Sequence, residues 1–190
     1  MRYLVLAAGL VFTNAVFAQD VDALRLDTRK QALPVLPKVV GMMKETVAAE
    51  GAVGAIPVCK EKAPQLLRSR AAELGWQMRR VSLKARNPER GTPDVWEARQ
   101  LADFNIRAAN GEKADTLEVG EIVTRDDGSR AFRYMRALPV GQVCLACHGD
   151  PATMGPELKA QLAASYPQDR ATGYALGQIR GALTVTRPLP

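Results

Sequence analysis

Cys144-Leu145-Ala146-Cys147-His148 reads C-x-x-C-H and gathers most of the chain's reactive side chains into five residues. Two thiols at this spacing can add across the two vinyl groups of a haem and leave two thioether bonds. The histidine directly after the second thiol then lies beneath the iron and offers one axial nitrogen. Three other chemistries use related patterns. A thioredoxin-like dithiol opens a helix after a strand in a βαβ context, whereas Pro139-Val140-Gly141-Gln142 and Gly149-Asp150-Pro151 flank this motif. Structural zinc takes four ligands from spaced pairs, and here Cys147 and His148 are adjacent with only Cys59 left over, which makes such a set awkward. A plain local disulfide is the third rival. The motif favours one haem c, covalent through Cys144 and Cys147, with His148 on the iron.

Since His148 is the only histidine, the opposite axial position must go to another residue type. The candidates are Met42, Met43, Met78, Met135, Met154, Cys59, a lysine, water or nothing. Methionine is the common partner in electron carriers, although Met43 falls on an apolar helical face where core filling is the simpler reading. Cys59 is the thiol left after haem takes two, and an unpaired cysteine in an oxidising compartment needs a reason. It stands at an expected helix start beside Lys60 and Lys62. Helix amides and cations favour thiolate, the form that binds ferric iron. A thiolate ligand would stabilise Fe(III) and lower the potential. On residue type alone, a buried inert thiol stays open as the alternative.

The elements that must place these residues begin after an address. Met1-Arg2-Tyr3 is basic, Leu4–Phe12 is apolar, and Ala15-Val16-Phe17-Ala18 ends in small residues before Gln19. This pattern is a secretory signal peptide over residues 1–18. A spanning helix would need about 20 apolar residues, and Thr13-Asn14 interrupt this run. The expectation is an exported, periplasmic protein with no membrane anchor once the signal is cleaved. Residues 19–33 are polar and expected to be mobile at their start. A helix follows from Leu36, with Val39, Val40, Met43 and Val47 at helical spacing and Gly51 as its stop. A second runs from Ala63 to Leu74 before Gly75, and Trp76–Leu83 reads as a strand. Thr92 is the expected N-cap of a third helix, with Pro93 at its first position, ending at Asn110-Gly111. Strands at 116–125 and 130–138 meet at Asp126-Asp127-Gly128, and a last strand covers 178–186. Helices followed by antiparallel strands give a single α+β domain over residues 19–190.

Composition agrees with an ordinary globular chain. Over 190 residues, 47% are hydrophobic and 24% charged, with a net charge of +6. The excess of Lys and Arg is spread along the sequence, so a solvated surface is the default and a face for an acidic redox partner the second reading. No nucleic-acid-binding motif is present, and none is expected in an exported protein.

Beyond the motif, several blocks resemble a known family: exported or membrane-tethered c-type haem domains with a PAS-like sensor fold. These are Ala55-Ile56-Pro57-Val58-Cys59 with Ala63-Pro64, Val81-Ser82-Leu83-Lys84-Ala85-Arg86-Asn87-Pro88, and Pro93-Asp94-Val95-Trp96-Glu97. Cys144–Gly149, Tyr166-Pro167-Gln168-Asp169, Gly173-Tyr174 and Gly181-Ala182-Leu183-Thr184-Val185 continue the series in order. The resemblance implies a central antiparallel sheet flanked by helices and holding one haem, with Cys59 as the axial ligand opposite His148. Family members often precede a signalling module, so a sensor role here is expected to need a separate signalling or redox partner protein.

Arg86 could clamp a haem propionate with its fork of donors, or stand exposed beside an Asn87-Pro88 turn. Trp96 and Tyr174 are candidates for lining the haem site, against a plain core role. The expected function is a redox or small-gas sensor, or a one-electron transfer protein. Departure of Cys59 on reduction would open the iron to a gas. The alternatives are a plain methionine-ligated electron carrier and, further off, a haem peroxidase, which would need an acid–base group above the iron. No enzyme activity is expected.

Overall fold

The computed structural model describes residues 20–190; the expected signal peptide lies outside them. In chain order the elements are α1 (Val21–Ala32), α2 (Val35–Gly54), a π-helical turn (Val58–Lys62) running into α3 (Ala63–Leu74), β1 (Gln77–Val81), a short α4 (Pro88–Gly91) and α5 (Val95–Ala109). Then come β2 (Glu118–Thr124), β3 (Arg130–Pro139), a one-turn α6 (Leu145–His148), α7 (Pro156–Ser165) and β4 (Ile179–Leu189). The four strands form one antiparallel sheet in the order β1-β4-β3-β2. This is the single α+β unit with a PAS-like central sheet that the sequence implies.

Strand alternation sorts the core into two faces. Met78, Phe132, Tyr134, Leu183 and Val185 point to one side and pack under Ala32, Val35, Leu67 and Ala71 of α1–α3. Val81, Met135, Ala137 and Ala182 point to the other and meet Leu101 and Phe104 of α5. A third cluster, Ile56, Met154, Leu158, Leu162 and Tyr166, seats α7 against the end of α2.

Besides α7, which the sequence reading did not anticipate, three local features depart from it. Residues 21–32 form α1 rather than a mobile lead-in. Its apolar contribution is small, and it is moored by charge: Arg29 makes two hydrogen bonds to the Glu118 carboxylate, which also accepts from Tyr134 Oη at 2.8 Å and Arg136 Nη1 at 3.1 Å. The N-cap of α5 is Asp94, not Thr92. Asp94 Oδ1 accepts from Glu97 N at 2.9 Å while Glu97 Oε2 accepts from Asp94 N at 2.9 Å, a reciprocal capping box that moves the start two residues on. β4 continues past Thr186 to Leu189. Beyond Gln77↔Thr186 it has a neighbour on one side only, the setting in which Pro188 is tolerated in a strand.

The end of α2 matters for the site. Gly51 has φ 72° and ψ −177°, which breaks the helix where the sequence places its stop. The chain then turns through Ala55 and Ile56, both buried, and brings Cys59 to the mouth of the space between α3 and β1.

Candidate functional site

The C-x-x-C-H segment sits at the end of β3, on a loop that a second segment straps down. Gly173 N donates to Gly149 O at 2.8 Å and Tyr174 N to His148 O at 2.9 Å. Arg170 N donates to Ala85 O at 3.1 Å, tying the same strap to the 82–87 loop. Gly149 closes α6 tightly: a Cβ there would stand 2.6 Å from Leu145 O, so the residue after the histidine has to be glycine for this turn to form.

His148 is oriented by the strap. Its Nδ1 lies 2.6 Å from Ala171 O, and because a carbonyl only accepts, Nδ1 carries the proton. Arg180 Nε also lies 3.2 Å from Nδ1, but one nitrogen cannot donate and accept at once; the shorter contact decides the tautomer. Nε2 is left with a lone pair. Burial first, then the positive charges of Arg180 and Arg86, hold the imidazole well below its usual basicity, so it is neutral. A neutral ring with one nitrogen protonated against a carbonyl is the arrangement of a metal-ligating histidine.

Arg86 is buried and works on the motif itself. Its Nη2 donates to Cys147 O and reaches Ala171 O at 3.4 Å. Its Nε stands 3.0 Å from Asp169 Oδ2, an ion pair without hydrogen-bond alignment. Asp169 Oδ1 in turn accepts from Ala171 N at 2.8 Å. Arg86 is therefore not on an exposed turn; it links the motif to the strap, and it also borders the neighbouring cavity.

That cavity, about 370 Å³, lies between α3, β1 and the 82–91 loop. His148 and Cys59 both line it, with Ala63, Leu67, Met78 and Val81 as apolar wall. Of the sulfur candidates, Cys59 and Met78 face this space. Met135 is buried under α5 and Met154 lies in the α7 cluster. Met42 and Met43 sit half-buried on α2, and the Cys59 thiol points at Met43 Sδ, 3.5 Å away. Cys144, Cys147 and Cys59 are all free thiols, half-buried. Burial raises the Cys147 pKa, with Arg86 opposing. Tyr166 closes the wall, its phenol pushed up to about 12 by burial and then by the nearby Cys59. Tyr174 packs edge-on to the His148 ring at 6.4 Å. Trp96 does not border the cavity; it is under the Arg133 guanidinium and donates to Glu121 Oε2 at 2.7 Å.

These residues fit a haem. The volume falls in the ~300–1,000 Å³ range of cofactor sites, two soft or nitrogen ligands share one apolar space, and the two motif thiols are free. His148 and Cys59 would hold the iron, and Cys144 and Cys147 the porphyrin edge. The sequence reading named these four and Arg86 as candidates; of them the structure brings His148, Cys59 and Arg86 to one cavity, while Cys144 and Cys147 lie on the motif loop and are not among its lining residues. It missed Ala171, Asp169 and Arg180, although Tyr166-Pro167-Gln168-Asp169 stood among the blocks it singled out.

A four-stranded PAS-like sheet with a thiol–imidazole loop strapped beside a helix-covered cavity is the class that fold and site define. The chain belongs to the Tll0287-like family, whose model matches residues 11–188. Among solved structures, that of the cyanobacterial heme-protein Tll0287 matches with a TM-score of 0.65. The match covers 86% of this chain and 96% of that one at 23% identity, so the two share a fold. No curated protein matches the sequence.

Proposed function

We propose that this chain is an exported mono-haem c-type protein, a redox or small-gas sensor or a one-electron transfer protein rather than an enzyme. Cys144 and Cys147 would carry the haem, and His148 and Cys59 would hold its iron. The observation that carries this reading is that Cys59, 85 or more residues from the motif in sequence, lines the same cavity as His148. Membership of a family whose solved relative is a heme-protein supports haem as the cofactor.

When bound, the haem would supply a one-electron couple and an iron whose ligand can change. The rest is done by this chain. Ala171 O keeps the Nδ1 proton and fixes the ring plane of His148. Leu67, Met78 and Val81, all buried, give the cavity its apolar wall. Cys59 approaches from the π-helical turn, backed by Met43. Because Met78 also lines the cavity, a methionine-ligated electron carrier is the second reading.

Two measurements test the proposal. The exported chain should begin at Gln19 and carry the added mass of one haem. Ferric paramagnetic resonance should show a thiolate-type signal that Cys59→Ala abolishes and Met78→Ala leaves intact; the reverse pattern establishes the methionine carrier. A colourless protein at the apoprotein mass overturns both.

A further inference from the structure

We infer that Arg80 and Arg180 form a carboxylate-binding clamp inside this cavity, and that the carboxylates it takes are the propionates of the bound porphyrin. The inference rests on the haem reading above and adds to it the residues that grip the cofactor's acidic edge, a role the sequence suggested for Arg86.

Charge around the cavity is unmatched. Seven cationic side chains border the cavity against a single carboxylate, Glu89. Two of the seven are already matched: Arg79 by Glu97 and Arg86 by Asp169. Lys60, Arg68 and Arg90 are exposed, where water serves them. Arg80 on β1 and Arg180 on β4 are half-buried, and among the described residues neither has a carboxylate within ion-pair distance. A buried charge without a counter-ion is costly, and two like charges on adjacent strands add to the cost.

Arg180 is also held in a set direction. Its Nη1 donates to Ser82 Oγ at 2.9 Å and to Lys84 O at 3.2 Å, and its guanidinium lies over the Tyr174 ring at 5.5 Å. These neutral partners orient the fork and leave its charge uncompensated. A guanidinium fixed in this way matches a carboxylate in two parallel bonds. A planar dicarboxylate entering between His148 and Cys59 would supply the missing anions.

The test uses the full chain with Cys144→Ala and Cys147→Ala, so that porphyrin binds reversibly, and compares ferric haem with its dimethyl ester by visible absorption. The acid should bind roughly ten- to a hundredfold tighter than the ester, the range for a charged hydrogen-bonded pair. Adding Arg180→Gln or Arg80→Gln should weaken the acid by a similar factor and leave the ester's affinity in place, which also shows that the variant folds. Arg86→Gln should weaken both porphyrins alike, through the motif loop. An acid–ester gap unchanged in the Arg80 and Arg180 variants overturns the clamp. Binding of neither porphyrin also overturns it, and the mass of the exported wild-type chain then decides whether the haem reading falls as well.

Discussion

Replacing Asp169 by alanine removes the counter-ion of Arg86 and leaves a guanidinium buried beside the motif. The two side chains are 9% and 13% exposed, so water can take over little of the lost interaction. Deleting one partner of such a pair costs about 3–5 kcal/mol. For a chain of this size, about 1 kcal/mol moves the melting temperature by ~2–4 °C, so Asp169→Ala should melt roughly 6–20 °C lower. Asp169→Asn keeps the acceptor for Ala171 N and should lose about half as much. The local readout is His148, whose Nδ1 proton rests against Ala171 O. In the apoprotein that proton should give a slowly exchanging nitrogen-coupled NMR signal, and in Asp169→Ala the signal should broaden or vanish. A variant melting within ~2 °C of the parent, with the proton signal unchanged, would refute the idea that Arg86 and Asp169 hold the strap to the motif.

Glu118 gives the acid dependence of stability. Burial pushes its carboxyl upward, but hydrogen bonds from Arg29, Tyr134 and Arg136 outweigh this and hold it below the usual range. The folded state thus binds the proton more weakly than the unfolded chain. The stabilisation is complete above the unfolded pKa of ~4.3 and is lost as pH falls through the lower folded value. Since Arg29 is 41% exposed, Glu118→Gln should cost only about 2 kcal/mol at pH 7. Thermal melts should show the gap to wild type closing by pH 3; an equal gap at both pH values counts against this. Gly181 on β4 leaves no room for a side chain against β1: an added Cβ would stand 2.3 Å from Val81 O and 3.2 Å from Ser82 Cβ. Gly181→Ala should therefore destabilise by about 3 kcal/mol or more, at the upper end of overpacking costs. A urea midpoint matching wild type would show that the strands part at little cost.

The parts legible in the sequence were those written locally. Val39, Met43 and Val47 announced α2, and Gly75, with φ 66°, ended α3 where expected. Asp126-Asp127-Gly128 placed the β2–β3 hairpin, and C-x-x-C-H stood out by spacing alone. What escaped depends on partners far along the chain. α1 has a sparse apolar stripe, and its anchor is Glu118, 89 residues from Arg29. The partner of His148 is a backbone carbonyl 23 residues away, and no side-chain pattern encodes a carbonyl. Asp94-Val95-Trp96-Glu97 did encode its capping box, but Pro93 offered a competing helix start. Arg86 and Arg180 look alike as residues; only the position of Asp169 separates a neutralised arginine from an unmatched one.

The fourth strand in chain order, β4, occupies an interior place in the sheet, between β1 and β3. Before Ile179–Leu189 is present, Gln77–Val81 has no ladder to join, and the sheet amounts to the β2–β3 hairpin alone. The Ala171–Tyr174 strap that aims the His148 imidazole is followed closely by this strand, so the same stretch of chain fixes the ring and completes the sheet. Such late, long-range pairing makes for slow folding. It also means that a chain cut before Ala171 would present the C-x-x-C-H loop unmoored, with its histidine unaimed.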